Sequence, residues 1–526
     1  MHRVEHWLAR AATERPHHTA IVCGAQRLDY AGLHAQAEAL AAGLVHLGIE
    51  HGERVLVLAE NRIETCVAVF GSLRAGAVFS LLNPGTKAAK LGWLLRDSGA
   101  RVLVIQRSLL PVLRGVEGGL PELHHVLVID EGQGFESADL PAPAQAWQAL
   151  LDAGAPALAP ASRGVDLDLA MLVYTSGSTG APKGVMMHHA NVRFAADSIC
   201  TYLEVGPDEV VLCVLPLAFD YGLYQLLMAV RCGYTLVLER GFGFPMQVLP
   251  LLEREQVTGF PLVPTVAAVL LQLRSFRPEW ARSVRFLTNT AAALPPAHIE
   301  RLQALFPQAR LFSMYGQTES KRCTWLPPAE LARRPGSVGF AIPGTEAWVA
   351  DADGRPLPPG EVGQLVVRGG HVMQGYWNQP EATARALKPG LWPWERVLHT
   401  GDLFRADEDG FLYFVGRRDD ILKSRGEKVA PKEVEAVLHA LPGVREAVVV
   451  GVPDPVLGQA IRALVVLAEG STLGSRDILA HCRAHLEDFM VPREIEFRSD
   501  LPRTGTGKIQ RARLQAEAEG RMFVDD

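Results

Sequence analysis

Short apolar runs alternate with helical patterns along the first 165 residues, and this alternation constrains the fold more than any other feature. The runs at 54–58 and 101–105 each follow a helix-like stretch. Residues 166–330 repeat the same rhythm. Strands that alternate with helices typically form a mostly parallel sheet covered by helices. The sequence therefore predicts an α/β protein whose large N-terminal part consists of layered βαβ subdomains.

The pattern changes after residue 340, where short apolar runs predict a small β-rich subdomain over 340–415. The charged stretch 417–420 is predicted to separate a large domain, 1–416, from a small α+β C-terminal domain, 421–526. The elements predicted in the small domain are a helix at 431–440, strands at 445–452 and 461–468, and a helix at 475–486. The stretch 141–160, rich in Ala and Pro, is expected to be a surface connection.

Composition excludes several classes of protein. The chain has 526 residues and a net charge of −6 without a basic block, so we do not expect a nucleic-acid partner. Its seven cysteines include no CxxC pair, which argues against a zinc site or a disulfide framework. The N-terminus lacks the apolar core of a signal peptide. Pro216 and Asp220 interrupt the apolar stretch 211–230, which therefore predicts a strand, turn and helix and not a membrane span. We accordingly expect a cytoplasmic protein.

The segment 174–184, YTSGSTGAPKG, directly follows the apolar run 169–173. Its glycines allow backbone N–H groups to turn inward, its hydroxyls add donors, and Lys183 adds positive charge, a combination that favours a polyphosphate. An ordinary polar loop is the alternative. The segment is not a Walker A loop, because Pro182 precedes Lys183 and Gly184 follows it. It predicts that another type of loop binds ATP or a similar nucleotide.

Four further motifs follow this loop: MYGQTE at 314–319, HTGD at 399–402, GRRD at 416–419 and RTGTGK at 503–508. In this order and spacing the set closely resembles the adenylate-forming superfamily of acyl-CoA ligases, luciferases and adenylation domains of nonribosomal peptide synthetases. The resemblance extends over almost the whole chain. It implies that a carboxylate attacks the α-phosphorus of ATP to give an acyl-adenylate. A thiol of CoA, or of the phosphopantetheine on a carrier protein, then displaces AMP.

The resemblance implies a nucleotide site assembled from the loop and the later motifs. Thr318 would hydrogen-bond the α-phosphate, and Glu319 would help to hold Mg²⁺, which prefers oxygen ligands. Asp402 and Arg417 would hold the ribose, and the segment 289–293 would lie at the adenine. The other residues implied for the nucleotide are Thr175, Ser176, Gly177, Ser178, Thr179, Gly180, Lys183, Ala291, Ala292 and Tyr315.

Lys508 is the catalytic residue that the resemblance implies most directly. It would bridge the substrate carboxylate and the α-phosphate, where negative charge accumulates in the transition state. A mobile surface lysine is the alternative. Asp419 is the implied hinge, about which the small domain would turn to withdraw Lys508 and present Lys423 and Gly426 beside a thiol channel. Tyr376 belongs to a further block of the family and is interpreted as architectural.

The segment 215–224 bears on which acid is activated. Acyl-CoA ligases commonly carry a histidine or another aromatic residue here, whereas amino-acid-activating members commonly carry Phe-Asp, whose aspartate pairs with the substrate ammonium. Asp220 therefore favours an amino acid, because a buried carboxylate requires a partner. Alternatively, Asp220 pairs with a donor of the protein, or caps a helix that begins near Gly222. The residues that would line the acid pocket are Tyr221, Tyr224, Thr265, Thr290 and Met314.

Two enzymatic hypotheses follow. The first is a stand-alone enzyme that adenylates an amino acid and loads a separate carrier protein, since the chain ends 18 residues after Lys508 without a carrier motif. The second is a ligase that joins a fatty or aryl acid to free CoA. Both need ATP and Mg²⁺. A third hypothesis, a binding protein without catalysis, is disfavoured by the presence of Lys183, Glu319, Asp402 and Lys508.

Overall fold

The computed structural model describes residues 2–154, 164–175, 182–273, 275–290, 294, 296–417, 422–429, 431–454, 458–502 and 511–520. The predicted site residues that lie outside this part of the chain are Ser176, Gly177, Ser178, Thr179, Gly180, Ala291, Ala292, Asp419 and Lys508.

An eight-stranded sheet occupies the N-terminal part of the described chain. Its strands, given in their order across the sheet, are β19 (Gly375–Tyr376), β9 (Lys183–His188), β8 (Leu169–Thr175), β4 (Val78–Leu82), β3 (Arg54–Leu58), β5 (Ala100–Gln106), β6 (His125–Ile129) and β7 (Ala144–Ala146). The strands from β8 to β7 are parallel, whereas β9 and β19 are antiparallel to their neighbours. Thr175 pairs with Lys183 across β8 and β9, so a strand, not a helix, follows the predicted phosphate loop.

A second, 14-stranded sheet contains a parallel half and an antiparallel half. The parallel half consists of β1 (Thr19–Cys23), β10 (Val210–Cys213), β11 (Thr235–Leu238), β12 (Gly259–Leu262), β13 (Phe286–Asn289) and β14 (Arg310–Tyr315), with β2 (Gln26–Asp29) antiparallel at its edge. The antiparallel half consists of β15 (Thr324–Leu326), β16 (Ser337–Ala341), β17 (Thr345–Ala350), β18 (Val362–Gly369), β20 (Leu387–Pro389), β21 (Arg396–Ala406) and β22 (Leu412–Arg417). The β-rich character predicted for 340–415 is confirmed, but the antiparallel strands begin earlier, at β15, and continue the same sheet.

The C-terminal elements form a small sheet with a hydrophobic core of its own. Its strands are β23 (Leu422–Ser424), β24 (Glu427–Val429), β25 (Val444–Asp454), β26 (Gly458–Leu467) and β27 (Glu494–Phe497). Leu438, Val449 and Ile478 are buried together in this core. A separate core is what an independently packed α+β unit requires.

Helices cover both large sheets. Those of the N-terminal part are α1 (Glu5–Glu14), α2 (Tyr30–His46), α3 (Ile63–Arg74), α4 (Ala88–Ser98), α5 (Leu110–Arg114), α6 (Trp147–Gly154), α7 (His189–Leu203), α8 (Asp220–Cys232), α9 (Pro245–Val248), α10 (Pro250–Arg254), α11 (Pro264–Gln272), α12 (Pro296–Leu305) and α13 (Pro380–Ala386). Those of the C-terminal part are α14 (Pro431–Ala440), α15 (Ser475–His485) and α16 (Arg511–Ala518). Among the described helices, none combines the length and the apolarity needed to cross a bilayer.

The predicted surface connection at 141–160 is wrong over residues 144–154. These residues form β7 and α6, and Trp147 and Leu150 are buried. Leu150 packs on α2, where a Cβ added to Gly43 would lie 2.6 Å from the Leu150 Cγ. The prediction failed because frequent Ala and Pro residues indicated a loop, whereas the buried face of α6 consists of only a few large apolar side chains.

Candidate functional site

A cavity opens at the carboxyl ends of the parallel strands, where open α/β sheets commonly bind ligands. Thr175 ends β8, Thr290 follows β13, and Gly316 follows β14. Residues of the C-terminal unit, including Glu427, Glu487 and Met490, line the same cavity. The predicted site residues that the cavity brings together are Thr175, Asp220, Tyr221, Thr290, Thr318, Asp402, Lys423 and Gly426.

Three residues predicted for the acid pocket do not line this cavity. Tyr224 is buried behind it, with its ring centroid 4.4 Å from the Lys321 Nζ. Met314 lies within β14, where its sulfur accepts a hydrogen bond from the Tyr202 hydroxyl at 2.9 Å. Thr265 is the second residue of α11. Of the acid pocket predicted from the sequence, Asp220, Tyr221 and Thr290 therefore face the cavity.

Asp402 and its neighbours form one polar end of the cavity. The Tyr315 hydroxyl donates a hydrogen bond to the Asp402 Oδ2 at 2.6 Å. Asp402 pairs with Arg417 across β21 and β22, which places these two predicted residues in register on adjacent strands. Asp402 is buried but lines the cavity. The arrangement offers a fixed carboxylate to a ligand that carries hydroxyl groups.

Tyr376 connects two predicted site residues that are far apart in sequence. Its hydroxyl donates a hydrogen bond to the Glu319 Oε1 at 2.9 Å, and its ring centroid lies 5.0 Å from the Lys183 Nζ. Its motif alone indicates an architectural role for Tyr376. The structure instead places it against both the carboxylate next to Thr318 and the lysine of the glycine-rich loop.

Asp220 already has a cationic partner within the protein. The Lys321 Nζ lies 3.4 Å from the Asp220 Oδ2 and donates a hydrogen bond to the Asp220 carbonyl oxygen at 2.7 Å. Of the two alternatives for Asp220, helix capping is wrong, because α8 begins at Asp220 and Phe219 occupies the cap position, whereas pairing with a donor of the protein agrees with the contact to Lys321. Burial lowers the pKa of Lys321 to about 7, although Asp220 opposes that shift.

Arg322 is the most unusual side chain of the site. It is 1% exposed, yet its Nε and Nη1 atoms have no hydrogen-bond partner, and it forms no ion pair with any residue of the described chain. Its Cζ lies 4.8 Å from the ring centroid of Tyr221. Sequence reasoning missed both Lys321 and Arg322. The only available signal was two consecutive cations between the 314–319 motif and β15, and a sequence does not show that such cations are buried.

The turn between β14 and β15, residues 316–323, presents both cations to the cavity. Lys321 has a φ of 54°, a left-handed conformation that residues with a side chain seldom adopt. A Cβ added to Gly316 would lie 2.0 Å from the Lys321 carbonyl oxygen, so only glycine permits this approach. The turn thus fixes Lys321 and Arg322 through backbone packing.

The C-terminal unit contributes charged groups of its own. The Lys90 Nζ lies 2.7 Å from the Glu487 Oε1 and 3.4 Å from the Glu433 Oε1, which joins the N-terminal part to the C-terminal unit. Burial raises the pKa of the Glu427 carboxyl to about 7, and the nearby Asp220 and Glu487 add to the shift. Gly426 has a φ of 79°, which favours glycine beside the cavity.

Two family models match this chain. Residues 8–377 match the family model described as AMP-binding enzyme. Residues 433–508 match the model of the AMP-binding enzyme C-terminal domain. The two matches lie in the expected order, and the first alone extends over more than half of the chain.

Individual relatives are similar over most of their length. The chain is 34% identical to a feruloyl-CoA synthase of Amycolatopsis sp over 97% of this chain and 98% of the relative. It is 33% identical to a crotonobetaine/carnitine–CoA ligase of Salmonella paratyphi A over 93% of each chain. A solved structure of VinN in complex with L-aspartate is 37% identical with a TM-score of 0.68, over 79% of this chain and 98% of that chain.

Proposed function

We propose that this chain, which belongs to the AMP-binding enzyme family and is an AMP-forming acid–thiol ligase, joins a small carboxylic acid without an amino group to free CoA. Curated CoA ligases that are similar over more than nine-tenths of this chain support CoA as the acceptor. The sequence alone instead favoured an amino acid as the substrate and a carrier protein as the acceptor.

The observation that carries the proposal is the contact between Asp220 and Lys321. A buried carboxylate is costly unless it is paired. Because the Lys321 Nζ lies 3.4 Å from the Asp220 Oδ2, that requirement is met without a substrate ammonium. The structural reason for preferring an amino acid therefore disappears.

The proposed roles of the nucleotide-binding residues follow from their positions. Thr175 and Lys183 flank the glycine-rich segment and would hold the phosphates of ATP. Asp402 would accept hydrogen bonds from the ribose hydroxyls, with Arg417 on the adjacent strand. A carboxylate oxygen of the acid then attacks the α-phosphorus, and pyrophosphate leaves. Lys508, which lies outside the described residues, remains our proposal for the group that stabilises the charge at this step.

Magnesium fits the oxygen atoms that the site offers. Mg²⁺ at nucleotide sites is typically held by one or two carboxylates together with substrate phosphates. Glu319 supplies a carboxylate, held by the Tyr376 hydroxyl at 2.9 Å, and it directly follows Thr318 of the cavity. When bound, the ion would neutralise charge on the phosphates, with Glu319 as its protein ligand.

Thiol transfer is assigned to the face of the C-terminal unit that lines the cavity. We propose a domain boundary at 417–420 with Asp419 as the hinge, so that rotation exchanges Lys508 for Lys423 and Gly426. Both Lys423 and Gly426 line the cavity in this structure. The CoA sulfur would attack the acyl carbon here, the bond to AMP would break, and acyl-CoA and AMP would leave.

A second candidate, activation of an amino acid for a carrier protein, is favoured by one specific observation. VinN, whose solved complex contains L-aspartate, is 37% identical to this chain. In that case the substrate ammonium would share Asp220 with Lys321.

ATP–pyrophosphate exchange with a panel of acids tests the proposal. The panel contains aliphatic and aromatic acids of graded length, with and without amino groups, and each active acid is then offered CoA. We expect exchange with acids that lack an amino group, and formation of their CoA thioesters. Exchange restricted to amino acids, without a CoA thioester, would establish the second candidate instead.

A further inference from the structure

Arg322 is a buried cation without a counter-ion in the described chain. A guanidinium has five N–H donors, no acceptor, and a pKa too high for it to lose its charge in a protein. Buried charges are therefore nearly always paired or hydrogen-bonded. Arg322 is 1% exposed, and its Nε and Nη1 find no acceptor. The ring of Tyr221, at 4.8 Å, compensates only part of this cost.

None of the other charged groups at the cavity forms an ion pair with Arg322 within the described chain. Lys321 and Asp220 pair with each other at 3.4 Å. Lys90 pairs with Glu433 and Glu487 of the C-terminal unit. Glu427 also lines the cavity, but no ion pair joins it to Arg322. Within the described residues, the Arg322 guanidinium thus lacks an ion-pair partner at the place where it adjoins the cavity.

We infer that Arg322, with Lys321 beside it, forms a subsite for a second anionic group of the substrate, so that the acid activated here is a dicarboxylic acid. This inference rests on the proposed function, which supplies the first carboxylate. A planar guanidinium matches a carboxylate with two parallel hydrogen bonds. Arg322 lines the same cavity as Thr318, so both carboxylates of one short molecule can be held there.

The test compares matched mono- and dicarboxylic acids in ATP–pyrophosphate exchange, which reads the first step alone. The pairs are butyrate with succinate, hexanoate with adipate, and benzoate with phthalate. With the wild-type protein, we expect the diacid of the most active pair to exceed its monoacid partner about 100-fold in kcat/KM. The reason is that a monoacid leaves the buried N–H donors of Arg322 without an acceptor. Equal or better use of the monoacids would overturn the inference while leaving the proposed function intact. Failure of every acid would overturn the proposed function itself.

Two variants locate the effect at Arg322. Arg322→Met keeps the volume and removes the charge, and we expect it to lose about 100-fold on the diacid while the monoacid is unaffected or improves. Arg322→Lys keeps one positive charge but not the fork of donors, and should lose about 10-fold. It also serves as the readout if Arg322→Met does not fold. Arg277→Met, which removes an arginine stacked on Trp280 away from the cavity, is the matched control and should behave like wild type.

The same variants separate this subsite from a role in binding ATP. If Arg322 binds the substrate anion, the KM for the diacid rises in Arg322→Met and the KM for ATP does not change. A rise in the KM for ATP with equal losses on both acids would assign Arg322 to the nucleotide phosphates and overturn the inference.

Discussion

At the scale of single residues, the site depends on how Lys321 is buried. Its side chain is 3% exposed, and burial lowers its pKa from the ordinary 10.5 to about 7. Asp220 raises the pKa again, and the neighbouring Arg322 lowers it. Near pH 7, the Lys321 ammonium is therefore close to its own pKa, whereas Arg322 beside it keeps its charge.

This pKa predicts how stability depends on pH. Because the folded-state pKa is lower than the unfolded-state value, the unfolded chain binds more protons between pH 7 and about 10, and folding becomes more favourable as pH rises through that window. The Tm of wild type minus that of Lys321→Met should therefore increase between pH 7 and 10. Parallel thermal melts at several pH values measure this difference. A difference that stays constant across the window would contradict the buried, titrating lysine.

Three residues of the motifs, Asp402, Thr318 and Thr175, line the cavity. Their roles toward the nucleotide stay predictions. Lys321 and Arg322 were not predicted, because a pair of adjacent cations usually indicates a solvated surface. Their burial follows from long-range packing of the turn on Gly316, which no local pattern reports.

At the scale of elements, the turn between β14 and β15 carries Lys321 and Arg322, which form the proposed subsite for the second carboxylate. Gly316 packs against the backbone of Lys321, and the Cys323 N–H donates a hydrogen bond to the Tyr315 carbonyl oxygen at 2.9 Å. The left-handed Lys321 lies between these two contacts. Strain of this kind persists only where the surrounding structure over-determines the backbone.

A pair of glycine substitutions tests this turn. In Gly316→Ala the new Cβ would lie 2.0 Å from the Lys321 carbonyl oxygen, so the backbone must shift, at a cost of about 1–3 kcal/mol. We expect a lower Tm and a loss of acid-dependent exchange. The matched control is Gly206→Ala, because a Cβ at Gly206 meets no atom within 4 Å and should change neither property. Equal behaviour of the two variants would show that the turn tolerates a side chain.

Element-level prediction succeeded where the apolar pattern was local and strong. Residues 54–58 form β3 and residues 431–440 form α14, as the periodicity indicated. It failed at 144–154, where Ala and Pro obscured an apolar face of α6 that packs on α2. Secondary structure that depends on a distant partner is the kind that a single sequence reports least well.

At the scale of the whole molecule, one cavity draws on both parts of the chain. The large sheets supply Thr175, Thr318 and Asp402, and the C-terminal unit supplies Lys423 and Gly426. Lys90 joins the two through Glu433 and Glu487. The division into a large and a small domain at 417–420 stays a prediction from the motifs. The contact through Lys90 depends on the position of the C-terminal unit and could not be inferred from sequence.

The central claim is that the acid becomes an acyl-adenylate and is then transferred to a thiol. The most direct measurement follows ¹⁸O from a doubly labelled acid, with ATP, Mg²⁺ and CoA, by mass spectrometry of the products. Because a carboxylate oxygen attacks the α-phosphorus and stays on it when the thiol attacks carbon, we expect AMP with one ¹⁸O, acyl-CoA with one ¹⁸O, and unlabelled pyrophosphate. Labelled inorganic phosphate together with ADP, or AMP without label, would contradict the account.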